Sequence, residues 1–239
     1  MKDSKMGHRG KRYQSAVGTL ERERLYPPEE ALRFVKESAS ARFDETVEVA
    51  MQLGVDARSG EQMVRGIVNL PHGTGKSPRV VAFARGEAAQ AAEAAGADFV
   101  GAEDLVAKIE SGWKDFDVLV ATREMMRVVG RLGKRLGPRM PNPKAGTVGD
   151  DIVQIIGDLK GGRVQFRMDR GGNIQVPIGK VSYAAEQLTE NFAALVGAVL
   201  RARPSAAKGQ YLRKIAVSST MGPSVHVDPA QAQELAESL

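Results

Sequence analysis

The hydrophobic period of this chain changes once and then changes back, and that reversal constrains the fold more than any single motif. Thr46-Val47-Glu48-Val49-Ala50-Met51-Gln52-Leu53 alternates between large apolar and polar or small residues. Successive strand side chains point to opposite faces, so this segment predicts a half-buried strand with Val47, Val49, Met51 and Leu53 inward. A helix is expected before it over 28–39, opened by Pro28, Glu29 and Glu30. A second strand is expected over 62–70, ended by Pro71-His72-Gly73. From Arg79 the texture differs. Short apolar strands at 79–84, 99–100 and 116–121 alternate with helical segments at 87–95, 103–111 and from about 123. That order predicts a small parallel sheet with helices on its faces.

After about Lys160 the first texture returns. Residues 163–168 and 174–178 alternate around the turn 169–173 and read as a hairpin. A helix follows over 184–201, with Leu188, Phe192, Leu195 and Val199 at helical spacing, then a last strand over 211–219. The economical fold class combines α+β with α/β. A discontinuous α+β domain is built from both chain ends (1–73 and 161–239), and a three-layer Rossmann-like α/β domain (74–160) is inserted into it. The glycine-rich crossings near 71–75 and 158–162 are expected to act as a hinge.

Composition excludes several function classes. The 239 residues include no cysteine, which removes disulfides, thiol catalysis and cysteine-ligated metals. The three histidines, His8, His72 and His226, lack any metal-binding spacing, so neither a metal nor a cofactor is expected. No apolar run approaches the ~18 residues of a membrane span, and the basic N-terminus lacks a signal peptide's apolar stretch. A cytoplasmic protein with no membrane partner is the expectation.

The net charge of +5 is unevenly spread. Between Arg123 and Lys144 seven basic residues face only Glu124, whereas between Glu87 and Asp117 eight acids face Lys108 and Lys114. A basic surface interrupted by an acidic lobe suggests a polyanion that touches part of the molecule, although a solvated charge pattern explains any one cluster as well.

Gly73-Thr74-Gly75-Lys76-Ser77 ends like a phosphate-binding loop. However, Leu70 stands where the motif needs glycine, and Pro78 with a strand follows where it needs a helix. With no GxGxxG after a strand either, a nucleotide-dependent enzyme is a poor reading. A DNA-binding module lacks a helix-turn-helix or zinc pattern. The proline-rich stretch Leu136 to Thr147 reads either as a rigid crossover or as a pre-formed basic loop presenting Arg139 and Lys144. Hydroxyls and glycine in Ser218-Ser219-Thr220-Met221-Gly222-Pro223-Ser224 suit an RNA backbone and its 2′-OH. Ser182 reads equally as the cap of the 184–201 helix.

Eight segments then point the same way. GKRY (Gly10–Tyr13), FDETVEV (Phe43–Val49), VRGIVNLPHGTGK (Val64–Lys76), AGADFVG (Ala95–Gly101), GWKDFDVLVAT (Gly112–Thr122), LGPRMPNPKAGTV (Leu136–Val148), PIGKVS (Pro177–Ser182) and TMGPSV (Thr220–Val225) resemble large-subunit ribosomal protein one, in order and over nearly the whole chain. The bacterial form is the closer likeness. The resemblance implies two hinged domains, no catalysis, and binding to large-subunit ribosomal RNA in the mobile stalk of the large ribosomal subunit. It also implies contact with exit-site tRNA and repression of its own operon mRNA.

Carried over by position, the RNA-binding residues are Arg42, Phe43, Thr46, Glu48, Gly179, Lys180, Ser182, Thr220, Met221 and Gly222. Two departures stand out: the proline loop is two residues shorter between Arg139 and Met140 than is usual, and Ala184-Ala185 stands where prolines are common. Residues 230–239 extend past the family's usual end and read as a short amphipathic or frayed tail.

Overall fold

A computed structural model describes residues 10–21, 23–57 and 62–238, apart from the Lys144 side chain. The basic N-terminal residues before Gly10, and Arg22, lie outside these, as does the availability expected of Lys144. Two compact units are present. One takes the chain up to Gly75 and from Val164 onward, and the other takes Lys76–Arg163.

The first unit opens with helices α1 (Lys11–Gly18) and α2 (Pro28–Ser38) and strands β1 (Thr46–Leu53) and β2 (Arg65–Asn69). Pro28 sits in the first turn of α2 with Glu29 and Glu30, and Lys36 sits in the last, so the charges complement the helix dipole. In β1 the four expected residues, Val47, Val49, Met51 and Leu53, are buried.

The second unit runs β3 (Val80–Phe83), α3 (Glu87–Ala94), β4 (Phe99–Gly101), α4 (Glu103–Glu110), β5 (Val118–Ala121), α5 (Met126–Val129), α6 (Gly133–Leu136) and α7 (Ile152–Lys160). Its strands form a parallel sheet in the order β4-β3-β5. Alternate residues of β3 feed opposite cores: Val81 and Phe83 pack with Leu105 and Ile109 of α4. Val80 and Ala82 pack with Ala92 of α3 and with Ile152 and Ile156 of α7. The sheet is therefore covered on both faces.

Two expectations for this unit need correction. The helix from about Arg123 is broken into α5, a 3-10 turn at Gly130–Leu132, α6, and a second 3-10 turn at Gly137–Arg139. Three glycines, each costing a helix interior about 1 kcal/mol, punctuate it, while Val129, Leu132 and Leu136 keep a helical spacing of buried residues. Helix α7 was not anticipated. Its signals are present all the same: the Asp151 carboxylate caps the Gln154 amide at 3.1 Å, and Ile152, Ile155, Ile156 and Leu159 share a face.

The chain returns as β6 (Arg163–Arg167), β7 (Asn173–Lys180), α8 (Ala185–Arg201), β8 (Leu212–Ser219), β9 (Val225–Val227) and α9 (Pro229–Glu237). The expected hairpin does not form. β6 pairs with β2 in a two-stranded sheet, whereas β7 joins the antiparallel sheet β7-β1-β8-β9. The turn between them is held by Asp169, whose carboxylate accepts from the Gly171 and Asn173 amides at 2.8 Å each. Beyond it, β7 takes its rungs from the longer apolar strand β1, opposing Val176 to Val49 and Ile174 to Met51.

One face of the four-stranded sheet is covered. Leu32 and Val35 of α2 and Leu188, Phe192, Leu195 and Val199 of α8 are buried in the core that holds the inward residues of β1, β7 and β8. Each such side chain contributes about 1.5–3 kcal/mol by leaving water. The tail beyond Asp228 is helix α9, packed on α8, with Ala232 buried.

Candidate nucleic-acid interface

Sheet register assembles the site at one end of β1. Thr46 opposes Lys180, and Val47 opposes Gly179 on one side and Ser219 on the other. Residues more than 130 positions apart in sequence thereby become neighbours. A bulge interrupts the β1–β7 ladder between Val47 and Glu48, beside Pro177. Proline cannot donate to a ladder, and the edge position of β7 tolerates it.

Beyond the strands, two carboxylates tie three loops together. Asp44 accepts from the Ser182 amide at 3.1 Å and from its hydroxyl at 2.9 Å. Glu45 is only 2% exposed. It accepts from the Ala41 amide at 3.0 Å, and from the Ser219 hydroxyl and the Met221 amide at 2.8 Å each. Burial alone would raise its pKa, but the hydrogen bonds from Met221, Ala41, Ser219 and Ser40 outweigh it and hold the carboxyl below its ordinary value. The Val181 amide also donates to the Glu45 carbonyl at 2.9 Å, which continues the ladder past the end of β1.

The ten residues marked from sequence fall into two groups within this frame. Phe43 and Met221 are exposed apolar side chains, 56% and 51% open to solvent, and with Arg42, Glu48 and Ser182 they form the outward surface. The others hold the frame. The Thr220 hydroxyl accepts from the Thr46 amide at 3.0 Å and donates to the Thr46 carbonyl at 3.3 Å, replacing a strand rung with a side chain. Lys180 Nζ donates to the Thr46 hydroxyl at 2.9 Å and to the Asp44 carbonyl at 3.3 Å.

Gly179 is buried, and a Cβ there would lie 2.8 Å from Leu188 and 2.9 Å from Tyr183. At Gly222 a Cβ would lie 2.5 Å from the Ser219 hydroxyl that Glu45 holds. A hollow of about 330 Å³ lies between the loops, lined by Ala39, Ala41, Phe43, Asp44, Glu45, Val181 and Ser182.

Ser182 does not cap α8. Its hydroxyl is committed to Asp44, and the Gln187 side chain accepts from the Ala184 amide at 3.0 Å instead. Sequence reasoning missed Asp44 and Glu45, because an acid near a presumed RNA surface reads as repulsive. The signal that could have found them is the excess of hydroxyls and turn amides in the facing segments, which need acceptors. It also missed Arg12, which donates to the Ser40 carbonyl at 3.4 Å.

Elsewhere, Arg139 is not free, as the proline loop suggested. It donates to the Phe116 carbonyl at 3.1 Å and lies over the Phe116 ring. The loop is not wholly irregular either, since Pro143–Ala145 forms a 3-10 turn and the Asn142 and Thr147 backbones are bonded across it. The glycine loop at 73–77 is followed by an extended segment and β3, with no helix. Among the described residues no cluster of metal-ligating side chains occurs, and no helix is long and apolar enough to cross a membrane.

The surface so described offers hydroxyls, turn amides and exposed apolar groups, and its Ser182 and Ser219 hydroxyls donate to the Asp44 and Glu45 carboxylates that hold the loops. Residues 35–223 match the profile of the ribosomal protein L1p/L10e family, a span that contains all ten residues. The chain belongs to this family. The ribosomal protein L1p/L10e family is structural, not enzymatic.

Among its relatives, the large ribosomal subunit protein uL1 of Thermobifida fusca is 55% identical over 231 residues, covering 96% of this chain and 98% of its own. That of Cutibacterium acnes is 56% identical over 228 residues, covering 95% and 98%. That of Mycobacteroides abscessus is 52% identical over 234 residues, covering 97% and 100%.

Proposed function

We propose that this chain is a structural constituent of the large ribosomal subunit, located on cytoplasmic ribosomes, and that it binds large-subunit ribosomal RNA through the surface around Phe43, Ser182 and Met221. The observation that carries this reading is the convergence of three distant loops, fixed by Asp44 and Glu45, beneath two exposed apolar side chains. Folding gains little from leaving Phe43 and Met221 in water. A pre-ordered frame that presents them lowers the ordering cost of binding.

In this reading Arg42 and other basic residues of the first unit neutralise phosphates and supply most of the affinity. Phe43 and Met221 pack against bases or riboses, and the Ser182 oxygen, whose proton goes to Asp44, accepts from a 2′-OH. The exposed carboxylate of Glu48 repels phosphate, so it accepts from a base amine or a ribose hydroxyl. Backbone at Gly222 admits the RNA closely.

The RNA-binding domain is assigned to 1–73 with 161–239. The inserted domain, 74–160, is left to move on the crossings at 71–75 and 158–162 as part of a mobile stalk. Release of exit-site tRNA and repression of the chain's own operon mRNA complete the proposal. If one surface serves both ribosomal and messenger RNA, the two compete, and only protein in excess of ribosomal RNA represses. No cofactor is involved.

Filter binding to the stalk fragment of large-subunit RNA, titrated with salt against equal-length random RNA and its DNA version, tests the reading. Stalk-selective binding that survives moderate salt, and that weakens in Phe43→Ala and Met221→Ala, is the expected result. Equal binding of all three nucleic acids, collapsing together with salt, would reduce the interaction to phosphate attraction and overturn the proposal.

A further inference from the structure

The inserted unit carries a second concave surface of different chemistry. A hollow of about 670 Å³ is rimmed by Lys114, Lys134, Arg135 and Arg139 over a floor that includes Phe116 and Pro138, and no acidic residue lines it. Its cations come in two kinds. Arg139 is fixed by the Phe116 carbonyl and ring, and Arg135 donates to the Glu110 carbonyl. Lys114 and Lys134 are exposed and make no ion pair among the described residues. Arginines already held in place lose little freedom on meeting an anion, while unpaired lysines have no carboxylate to give up.

The acidic stretch around the hollow is less acidic than its composition. Asp115 and Asp117, which flank Phe116, are both held by Arg79. Glu103 pairs with Arg85, and Asp98 pairs with Lys160 at 3.2 Å. Four of the eight acids between Glu87 and Asp117 thus have cationic partners within the unit.

We propose that the hollow is a second RNA-binding site, taking consecutive backbone phosphates of a strand other than the one held at the Phe43 surface. Phosphodiesters suit it because the rim offers several cations in a concave array without base-reading carboxylates or amides. The binding is therefore independent of sequence. This inference rests on the reading of the chain as an RNA-binding protein.

The test uses the full chain saturated with the stalk ribosomal RNA fragment, onto which fluorescent dodecauridylate is titrated over a range of salt. The double variant Lys114→Ala/Lys134→Ala should lower the slope of log affinity against log salt by about 1.4, at about 0.7 per cation for a single strand. Its affinity for the ribosomal fragment should stay unchanged. Phe43→Ala/Met221→Ala should show the reverse, and run without the fragment it reads the hollow alone should the first interface fail to bind ribosomal RNA.

An unchanged slope in the lysine variant, or no dodecauridylate binding by the wild type, would overturn the proposal. Displacement of the oligonucleotide by inorganic phosphate at matched ionic strength would overturn it too, making the hollow a small-anion site.

Discussion

Replacing Glu45 examines the frame of the interface most directly. In Glu45→Ala, three donors lose their acceptor: the Ala41 and Met221 amides and the Ser219 hydroxyl. A buried donor left unsatisfied costs about 1–3 kcal/mol; the two amides are only part-buried, which favours the lower half of that range, and the Ser219 hydroxyl can turn to another acceptor, so a loss of about 2–4 kcal/mol is expected. At roughly 3 °C per kcal/mol for a unit of this size, thermal unfolding should fall by about 6–12 °C.

The pH dependence has a definite sign. The folded-state pKa of Glu45 lies below its unfolded value near 4.5, so its contribution is complete above that value. It disappears as pH falls through the lower folded pKa. Glu45→Gln keeps the shape but sets an NH₂ against a donor. It should be less stable than wild type at pH 7, and the gap should narrow as the solution is acidified below about pH 4.5. Thermal melts of the three proteins from pH 7 to pH 3, paired with ribosomal RNA binding at pH 7, measure this. A Glu45→Gln protein that melts like wild type at every pH would refute the argument that this carboxylate holds the loops together.

The remaining predictions are narrower. Phe43→Ala should leave urea unfolding unchanged, because the side chain is 56% exposed, yet cost about 1–3 kcal/mol of RNA binding if a base packs on it. Gly222→Ala should push the Ser219 hydroxyl off Glu45, lowering the melting temperature and weakening RNA binding together, both read on one preparation. Asn191, fully buried, bonds the His72 amide and the Gly73 and Ile178 carbonyls, so Asn191→Ala should lower stability by about 2–4 kcal/mol in urea titrations. Asp98 has its carboxyl held below the ordinary range chiefly by the Val80 amide and then by Lys160, so Asp98→Asn should flatten the acid-induced loss of stability below about pH 3.8.

Periodicity exposed what periodicity governs. Strand β1 was legible from Thr46 to Leu53, as was the buried stripe of α8, because in both one face meets a core and the other meets water. The β6–β7 segment misled because alternation fixes which face a strand buries without naming its partner. A turn such as Asp169 to Asn173 serves a divergence as well as a hairpin. The helix after Arg123 failed at its glycines, where local propensity outweighed a spacing that the packing still uses. At the interface, the recognised segments were found without the carboxylates beneath them. Glu45 also takes the nearby Ala41 amide, but the donors that tie the loops together lie more than 130 residues from Asp44 and Glu45, and no local pattern records those.

The placement of β1 has a consequence for how the protein is made. Its two neighbours, β7 and β8, both come from the far end of the chain, and the Thr46–Thr220 rung spans 174 residues. At roughly 5–20 residues per second of synthesis, β1 waits about 9–35 s for that partner, and until α8 is made only α2 is at hand to cover its Val47, Val49, Met51 and Leu53 face. The inserted unit is complete in sequence by then, while the proposed RNA surface closes only after Gly222 has been added. A nascent chain that stops before Gly222 therefore contains the residues of the hollow and lacks the assembled loop frame, so the proposed interface forms only once Gly222 is in place.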